Sequence, residues 1–220
     1  IIDLNDNYGK NNIFKNQKVL VEFVSANPTG PLTVGHGRGA ILGDTLSNIF
    51  EWNGYNVDRE YYYNNAGRQM RILGESVKAR YLETQKEEHA FPEGGYEGEY
   101  IYDIADNLSE KFGNTLIDKD TIFKETAEKY IFENIKNTLS RINITFDSFF
   151  NENTLYENKD IYAVIDQLRD KGLIYDKDDA TWFHGTKVGR ENDRVLIKSS
   201  GEPTYRLPDM AYHIKKIERG

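Results

Sequence analysis

Val21-Glu22-Phe23-Val24-Ser25-Ala26-Asn27-Pro28-Thr29-Gly30-Pro31-Leu32-Thr33-Val34-Gly35-His36 runs from an apolar strand through a Pro/Gly turn into a Gly-His step that opens a helix. A strand end feeding a helix N-terminus is where parallel α/β sheets bind phosphates and nucleotides. The first backbone N–H groups of the helix are unpaired there, and its dipole favours an anion. Upstream, Val19 to Val24 is an apolar run broken only by Glu22, the pattern of a buried parallel strand. Downstream, Ile41, Leu42, Leu46, Ile49 and Phe50 recur at helical spacing and predict one buried face, with Asn53-Gly54 ending the helix. Val57, Arg59, Tyr61 and Tyr63 then alternate with Asp58, Glu60 and Tyr62, which predicts a second strand and a right-handed βαβ unit.

Further along, a helix is expected from Arg68 to Leu82, followed by a charged, Pro/Gly-containing connector over residues 83–99. Ile101, Ile104, Ala105, Leu108 and Phe112 predict one helix; Phe123, Ala127, Tyr130, Ile131, Ile135 and Leu139 predict another. Phe146, Phe149 and Phe150 read as core, as do Tyr156 and Tyr162. Ile161, Val164, Ile165 and Leu168 mark a helix stopped by Lys171-Gly172. Leu173-Ile174-Tyr175, Asp176-Lys177-Asp178-Asp179 and Ala180-Thr181-Trp182-Phe183 read as strand, turn and strand, with Arg194 to Lys198 as a third strand. Pro208 is placed as the first residue of a last helix.

Composition narrows the class. The chain has 220 residues, 38% hydrophobic and 29% charged, as in ordinary globular proteins. There is no cysteine, which excludes disulfides and thiolate metal sites and suits a cytoplasmic location. A net charge of −8 disfavours a freestanding nucleic-acid binder, though not a module whose RNA contacts lie largely on other domains. No apolar run approaches the length of a membrane span, and no signal sequence is visible. The start at Ile1-Ile2-Asp3, without Met, and the end at Gly220 in an amphipathic helix are expected of a piece of a longer protein.

Several residues read in two ways from their type and spacing alone. Glu22, a carboxylate in an apolar strand, either reaches solvent at an edge or faces a bound cation. Asn27 sits in Asn27-Pro28-Thr29-Gly30-Pro31, a turn on any reading, and either forms the turn or meets a ligand. Tyr205 and Asp209, four apart, share a face if the backbone between them is helical; Asp209 would also suit a helix start. The four histidines show no metal-ligand spacing, so no protein-bound metal is expected.

The opening stretch, continuing through Gly37-Arg38-Gly39-Ala40 and Gly43-Asp44, resembles the signature region of the arginyl-tRNA synthetases, which belong to class I. Two further blocks carry the same resemblance in the same order: Tyr61-Tyr62-Tyr63-Asn64-Asn65-Ala66-Gly67-Arg68-Gln69, and Gly201 to His213. The resemblance implies an α/β fold: a Rossmann-like parallel-sheet half-domain with a mainly helical insertion and a small antiparallel hairpin. It divides the chain into a first βαβ part (1–82), a connective insertion (83–172) and a returning hairpin region with a final helix (173–220). It implies arginine contacts from Glu22, Ser25, Asn27, Tyr205 and Asp209, and an ATP site at Thr33, Gly35, His36 and Gly39. Phosphate chemistry would fall to His36 and Thr33.

Two positions depart from the family pattern. Thr33 stands where the first signature histidine is usual, and Asn65 where an Asp is usual. Gly30 occupies the place where some members carry a compensating lysine, and no Lys-Met-Ser-Lys-type loop occurs in the chain. The partners implied are L-arginine, ATP with Mg2+ as substrate, and tRNA(Arg) through a longer protein, with no membrane and a monomeric state. Other readings are a short paralogue that binds arginine or nucleotide without charging tRNA, and an unrelated nucleotidyltransferase of similar fold.

Overall fold

The computed structural model describes residues 5–87, 89–116 and 120–219. The readings placed on Ile1-Ile2-Asp3, Glu88 and Gly220 lie outside them. The chain forms two compact units, Ile1–Phe150 and Asn151–Gly220.

In the first unit, β1 (Lys18–Glu22) pairs in parallel with β2 (Asn56–Tyr63) through α1 (Val34–Trp52), with Val19 opposite Val57 and Glu22 opposite Glu60. A third strand, β3 (Ser148–Asn151), lies beyond β2 in the sheet order β1-β2-β3. The βαβ reading holds, but β3 was not foreseen. Four residues are too few for a periodic signal, and Phe149 and Phe150 looked like generic core.

The α1 face expected to be buried is instead exposed: Ile41, Leu42, Leu46 and Ile49 are 42–68% exposed. The helix buries Ala40, Gly43 and Ser47. These small residues let it lie close on the sheet: a Cβ on Gly43 would come within 2.2 Å of the Phe23 ring. Apolar spacing found the wrong face because close approach selects small side chains. Arg59 on β2 fastens the helix along the flank of this buried stripe, with Nη1 2.6 Å from Glu51 Oε1, Nη2 2.8 Å from Asn48 Oδ1 and Nε 3.6 Å from Asp44. The hydrogen bond to Arg59 holds the Glu51 carboxyl below its ordinary range.

The core lies mainly among helices. α2 (Gly67–Thr84) packs against α3 (Glu99–Phe112) and α4 (Asp120–Ser140), burying Met70, Leu73, Val77, Ile101, Ile104, Phe123 and Ile131. Tyr61 from the sheet joins this core, edge-on to Phe132 and Phe146. Helices that the sequence divides between a first part and an insertion therefore share one core, and the boundary between compact units falls after Phe150. Within β2, Glu60 is fully buried and accepts from Ser148 Oγ of β3 at 3.1 Å.

In the second unit, α5 (Asn153–Glu157) and α6 (Asp160–Asp170) precede an antiparallel sheet of β4 (Ile174–Lys177), β5 (Ala180–Phe183) and β6 (Arg194–Ile197). The β4–β5 turn is shorter than predicted. Asp178 and Asp179 alone make it, both at positive φ, as two-residue hairpins of the strand-matching hand require. Gly172 ends α6 at φ +62, with Leu173 N–H on Leu168 C=O at 2.8 Å. The last helix, α7 (Arg206–Arg219), starts two residues before Pro208, which sits in the first turn, where no N–H is needed.

Between β5 and β6, Asp193 gathers the loop. It accepts from Thr186 N–H at 2.9 Å, Thr186 Oγ1 at 2.8 Å and Tyr175 Oη at 2.9 Å. The Thr186 N–H, with these other donors and the His184 ring, holds the Asp193 carboxyl down to about 2. A carboxyl lowered on folding contributes stability that is complete above its unfolded value, about 4. That contribution is lost as pH falls toward the folded value of about 2.

The urea midpoint of the second unit, followed by Trp182 fluorescence, is therefore expected to fall between those two pH values. Asp193→Asn should remove that component of the pH dependence; an unchanged acid limb in the variant would refute the assignment. For the first unit, Gly43→Ala forces a methyl into the Phe23 ring and should cost about 1–3 kcal/mol in urea unfolding. An increase in stability would show that α1 can lift off the sheet.

Candidate nucleotide and ligand site

Strand β1 ends at Glu22, not at Val24 as the apolar run suggested. Val24 and Ser25 take positive φ, +64 and +46, and Ser25 N–H closes a three-residue turn on Phe23 C=O at 2.9 Å. A β-branched residue in this region costs on the order of 1–3 kcal/mol and persists only where the surroundings enforce it.

Bonds between the turn and β2 with its exit provide that enforcement. Ser25 Oγ accepts from Tyr62 N–H at 3.1 Å and donates to Glu22 Oε1 at 2.7 Å. Tyr61 Oη accepts from Ala26 N–H at 3.2 Å and donates to Ala26 C=O at 2.8 Å. Asn27 Oδ1 accepts from Asn64 N–H at 2.9 Å, while Asn27 Nδ2 donates to Gln69 Oε1 at 3.2 Å. Where the strand ladder stops, these bonds continue it through side chains.

From α3, Tyr100 reaches the far end of the turn. Its hydroxyl donates to Thr29 C=O at 2.7 Å, and its ring lies against Gly30, where a Cβ would come within 3.1 Å of the hydroxyl. Burial pushes the Tyr100 hydroxyl up to about 12 and raises Tyr61 further, so both stay protonated donors across the working pH range.

The helix start is closed by Thr33, the residue that departs from the family signature. Thr33 is the N-cap: its Oγ1 accepts from His36 N–H at 3.5 Å, and its own N–H donates to His36 Nδ1 at 3.0 Å. This is a reciprocal capping box with histidine in the place usually taken by Glu or Gln. With Nδ1 accepting, the neutral imidazole carries its proton on Nε2, which is left as a donor. Behind the cap, a Cβ on Gly37 or Gly39 would touch nothing within 4 Å, and one on Gly35 would meet only Thr33 Oγ1 at 3.5 Å. Glycine is not required there by the helix, which it weakens by about 1 kcal/mol per residue relative to alanine.

Asn65, the other departure, donates through Nδ2 to Glu128 Oε1 at 2.7 Å. An aspartate there would set two carboxylates against each other. In the second unit, Tyr205 and Asp209 meet at the start of α7, with Asp209 N–H on Tyr205 C=O at 3.3 Å, and Tyr205 is 68% exposed. The structure thus groups Glu22, Ser25 and Asn27 on one turn, Thr33, Gly35, His36 and Gly39 on one helix start, and Tyr205 with Asp209 on another. Tyr61, Asn64, Gln69 and Tyr100 were not picked out for this role. Their signal is long-range pairing, which single-residue patterns do not carry. Among the described residues, no group of three or more His, Asp or Glu side chains could hold a metal, and no helix is long and apolar enough to cross a membrane.

Comparison with known proteins gives a consistent result. The family of class I (R) tRNA synthetase catalytic domains matches residues 2–219. An arginine–tRNA ligase of Desulfotalea psychrophila is 57% identical over 221 residues, covering all of this chain and 40% of that protein. One from Chlorobium phaeobacteroides is 53% identical over 227 residues, covering 41% of its length. Among solved structures, a Campylobacter jejuni protein provisionally described as an arginyl-tRNA synthetase superposes with a TM-score of 0.90 at 35% identity, over all of this chain and 49% of that one. The Thermus thermophilus arginyl-tRNA synthetase shares the fold at a TM-score of 0.66 and 21% identity, over 96% of this chain and 38% of that one. The chain thus spans about 40% of the length of the curated relatives it matches.

The two tyrosine struts should differ in their contribution to stability. Tyr100→Phe keeps the ring and removes one hydrogen bond, so urea unfolding should show a loss of about 0.5–1.5 kcal/mol. Tyr61→Phe also strands the Ala26 N–H and should cost more, about 1–3 kcal/mol. The reverse order would mean that the turn is held mainly from α3.

Proposed function

The chain belongs to the class I (R) tRNA synthetase catalytic-domain family, and from that premise we propose that it is the arginine-activating part of an arginine–tRNA ligase. The observation that supports this reading most directly is the turn after β1. Glu22, Ser25 and Asn27 are held at a strand end beside a helix start with unneeded glycines, an arrangement suited to an amino acid next to a nucleotide.

In this proposal the arginine carboxylate attacks the α-phosphorus of ATP. One carboxylate–phosphorus bond forms, the bond to the bridging oxygen breaks, and pyrophosphate leaves. The arginyl group then passes to the 3′ end of tRNA(Arg) in the longer protein. No covalent enzyme intermediate is involved; the site contributes position and charge stabilisation. Mg2+ arrives with the triphosphate.

Asn27 meets the amino-acid backbone, and Glu22 faces the positive charge of the substrate, with Ser25 acting through Glu22 by fixing its carboxylate. Tyr205 and Asp209 keep the role that the resemblance implies for them, recognition of a guanidinium, a planar fork of donors that matches carboxylates and a flat packing partner. Gly35, Gly37 and Gly39 leave the helix backbone open to the nucleotide. His36 donates from Nε2 to a phosphate oxygen, and Thr33 fixes the ring. A cytoplasmic location and a monomeric state complete the proposal.

Thermal unfolding with L-arginine, L-lysine or L-citrulline, each with ATP and Mg2+, tests it. Arginine at a hundred times its dissociation constant should add about 2.7 kcal/mol, and the other two much less. Glu22→Gln and Asp209→Asn should each reduce the arginine response; equal stabilisation by citrulline would refute carboxylate recognition. Gly39→Ala should raise unliganded stability by about 0.5–1 kcal/mol while weakening ATP binding. Unchanged ATP affinity would remove that glycine from the site.

A further inference from the structure

The second unit holds a pocket of about 680 Å³, lined by none of the residues assigned a role above, whose lining includes Phe183, Val188, Leu196 and Met210 together with Arg190, Arg194 and Arg206. Among the described residues, none of these three guanidiniums takes part in an ion pair; Arg206 only stacks over Tyr205, 4.6 Å from its ring centroid. By contrast, Arg59, Arg71, Arg80 and Arg169 all have carboxylate partners. The chain carries a net charge of −8 and has acidic groups to spare, yet one carboxylate, Glu191, lines this pocket. Asp193, close by in the chain, is committed to Thr186 and Tyr175.

We propose that this pocket binds the phosphates of an RNA strand, an inference that rests on the proposed function for its biological sense. Guanidinium forks match phosphate oxygens in pairs. An apolar floor under an arginine rim is the combination that takes a base and its backbone phosphates together. The three arginines come from three separate segments: the loop after β5, the first residue of β6 and the first residue of α7. The fold thus brings three guanidiniums from separate segments to one pocket, beside apolar side chains that a triphosphate would not use and a base would. The loop is braced by Asp193, and Arg190 N–H is bonded to Gly185 C=O at 2.9 Å, so its backbone is set before a ligand arrives.

Fluorescence anisotropy of a labelled single-stranded RNA, titrated with the chain at several salt concentrations, tests the inference. For Arg190→Ala/Arg194→Ala, binding should weaken and the slope of log affinity against log salt should shrink by about 1.4, two single-strand phosphate contacts. A control with equal charge change, Lys171→Ala/Lys177→Ala, should leave the slope in place. An unchanged slope in the arginine variant, or an equal loss in the control, would overturn the proposal. Inorganic triphosphate provides the competing source: if it displaces the RNA at concentrations comparable to the RNA's own affinity, the pocket is a small-phosphate site and the RNA assignment is wrong.

Arginine-induced stabilisation, measured on the same samples, separates the two readings. Retained arginine response with RNA binding independent of the arginines removes the pocket and leaves the proposed function. RNA binding through the arginines without any arginine response supports the pocket and removes the function.

Discussion

The positive φ at Val24 and Ser25 is the constraint on which the rest of the site depends. It takes the chain out of the sheet after Phe23, whose N–H still donates to Glu60 C=O at 3.3 Å, so residues 25–27 meet Tyr61, Tyr62 and Asn64 through side chains instead of extending β1. A backbone bent this way has lost its ladder partners, and each lost partner is replaced by a side chain: Ser25 for the Tyr62 amide, Asn27 for the Asn64 amide, Tyr61 for both polar groups of Ala26. Buried polar groups are therefore satisfied while the turn keeps a shape that a regular strand would forbid. The same bonds fix the Glu22 carboxylate through Ser25.

The helices that a linear reading sets apart as an insertion take part in this arrangement. α3 supplies Tyr100 to the turn, and α4 supplies Glu128 to Asn65 at the start of α2. α2 in turn presents Arg80, whose guanidinium lies 4.3 Å from the Phe91 ring centroid and 4.7 Å from that of Tyr102 while pairing with Glu83. That clamp ties the 83–99 connector to α2 and α3. One core, with Tyr61 reaching into it from the sheet, thus supports both the strand end and the helices that brace it.

What the sequence made legible followed from local chemistry. Periodicity locates α3, α4 and α6, and Gly172 marks the end of α6 through backbone preference. Composition could not reveal which face of α1 is buried. Ala40, Gly43 and Ser47 have little hydrophobic weight, and their value lies in being small next to Phe23. Nor does strand alternation reveal that Glu60 is buried, because its partner Ser148 lies on a four-residue strand 88 residues away. Among the candidate residues, family resemblance points to Glu22, Ser25, Asn27, Thr33 and His36, but not to Tyr61, Asn64, Gln69 and Tyr100, which hold the turn. Thr33 is the instructive case: set against the signature it looks like a lost histidine, and in the structure it caps the helix and holds the remaining one.

The amide of Asn27 has two acceptor positions and two N–H donors. One acceptor position is taken by Asn64 N–H and one donor by Gln69. These opposite demands lock the group against flipping end over end, so its free lone pair and its free N–H occupy fixed, non-interchangeable places. Such a group has a polarity as well as a position. In the proposed role it would tell the ammonium end of an amino acid from the carboxylate end, and with a side-chain contact elsewhere it would supply the asymmetric points of attachment by which a site distinguishes one mirror image from the other.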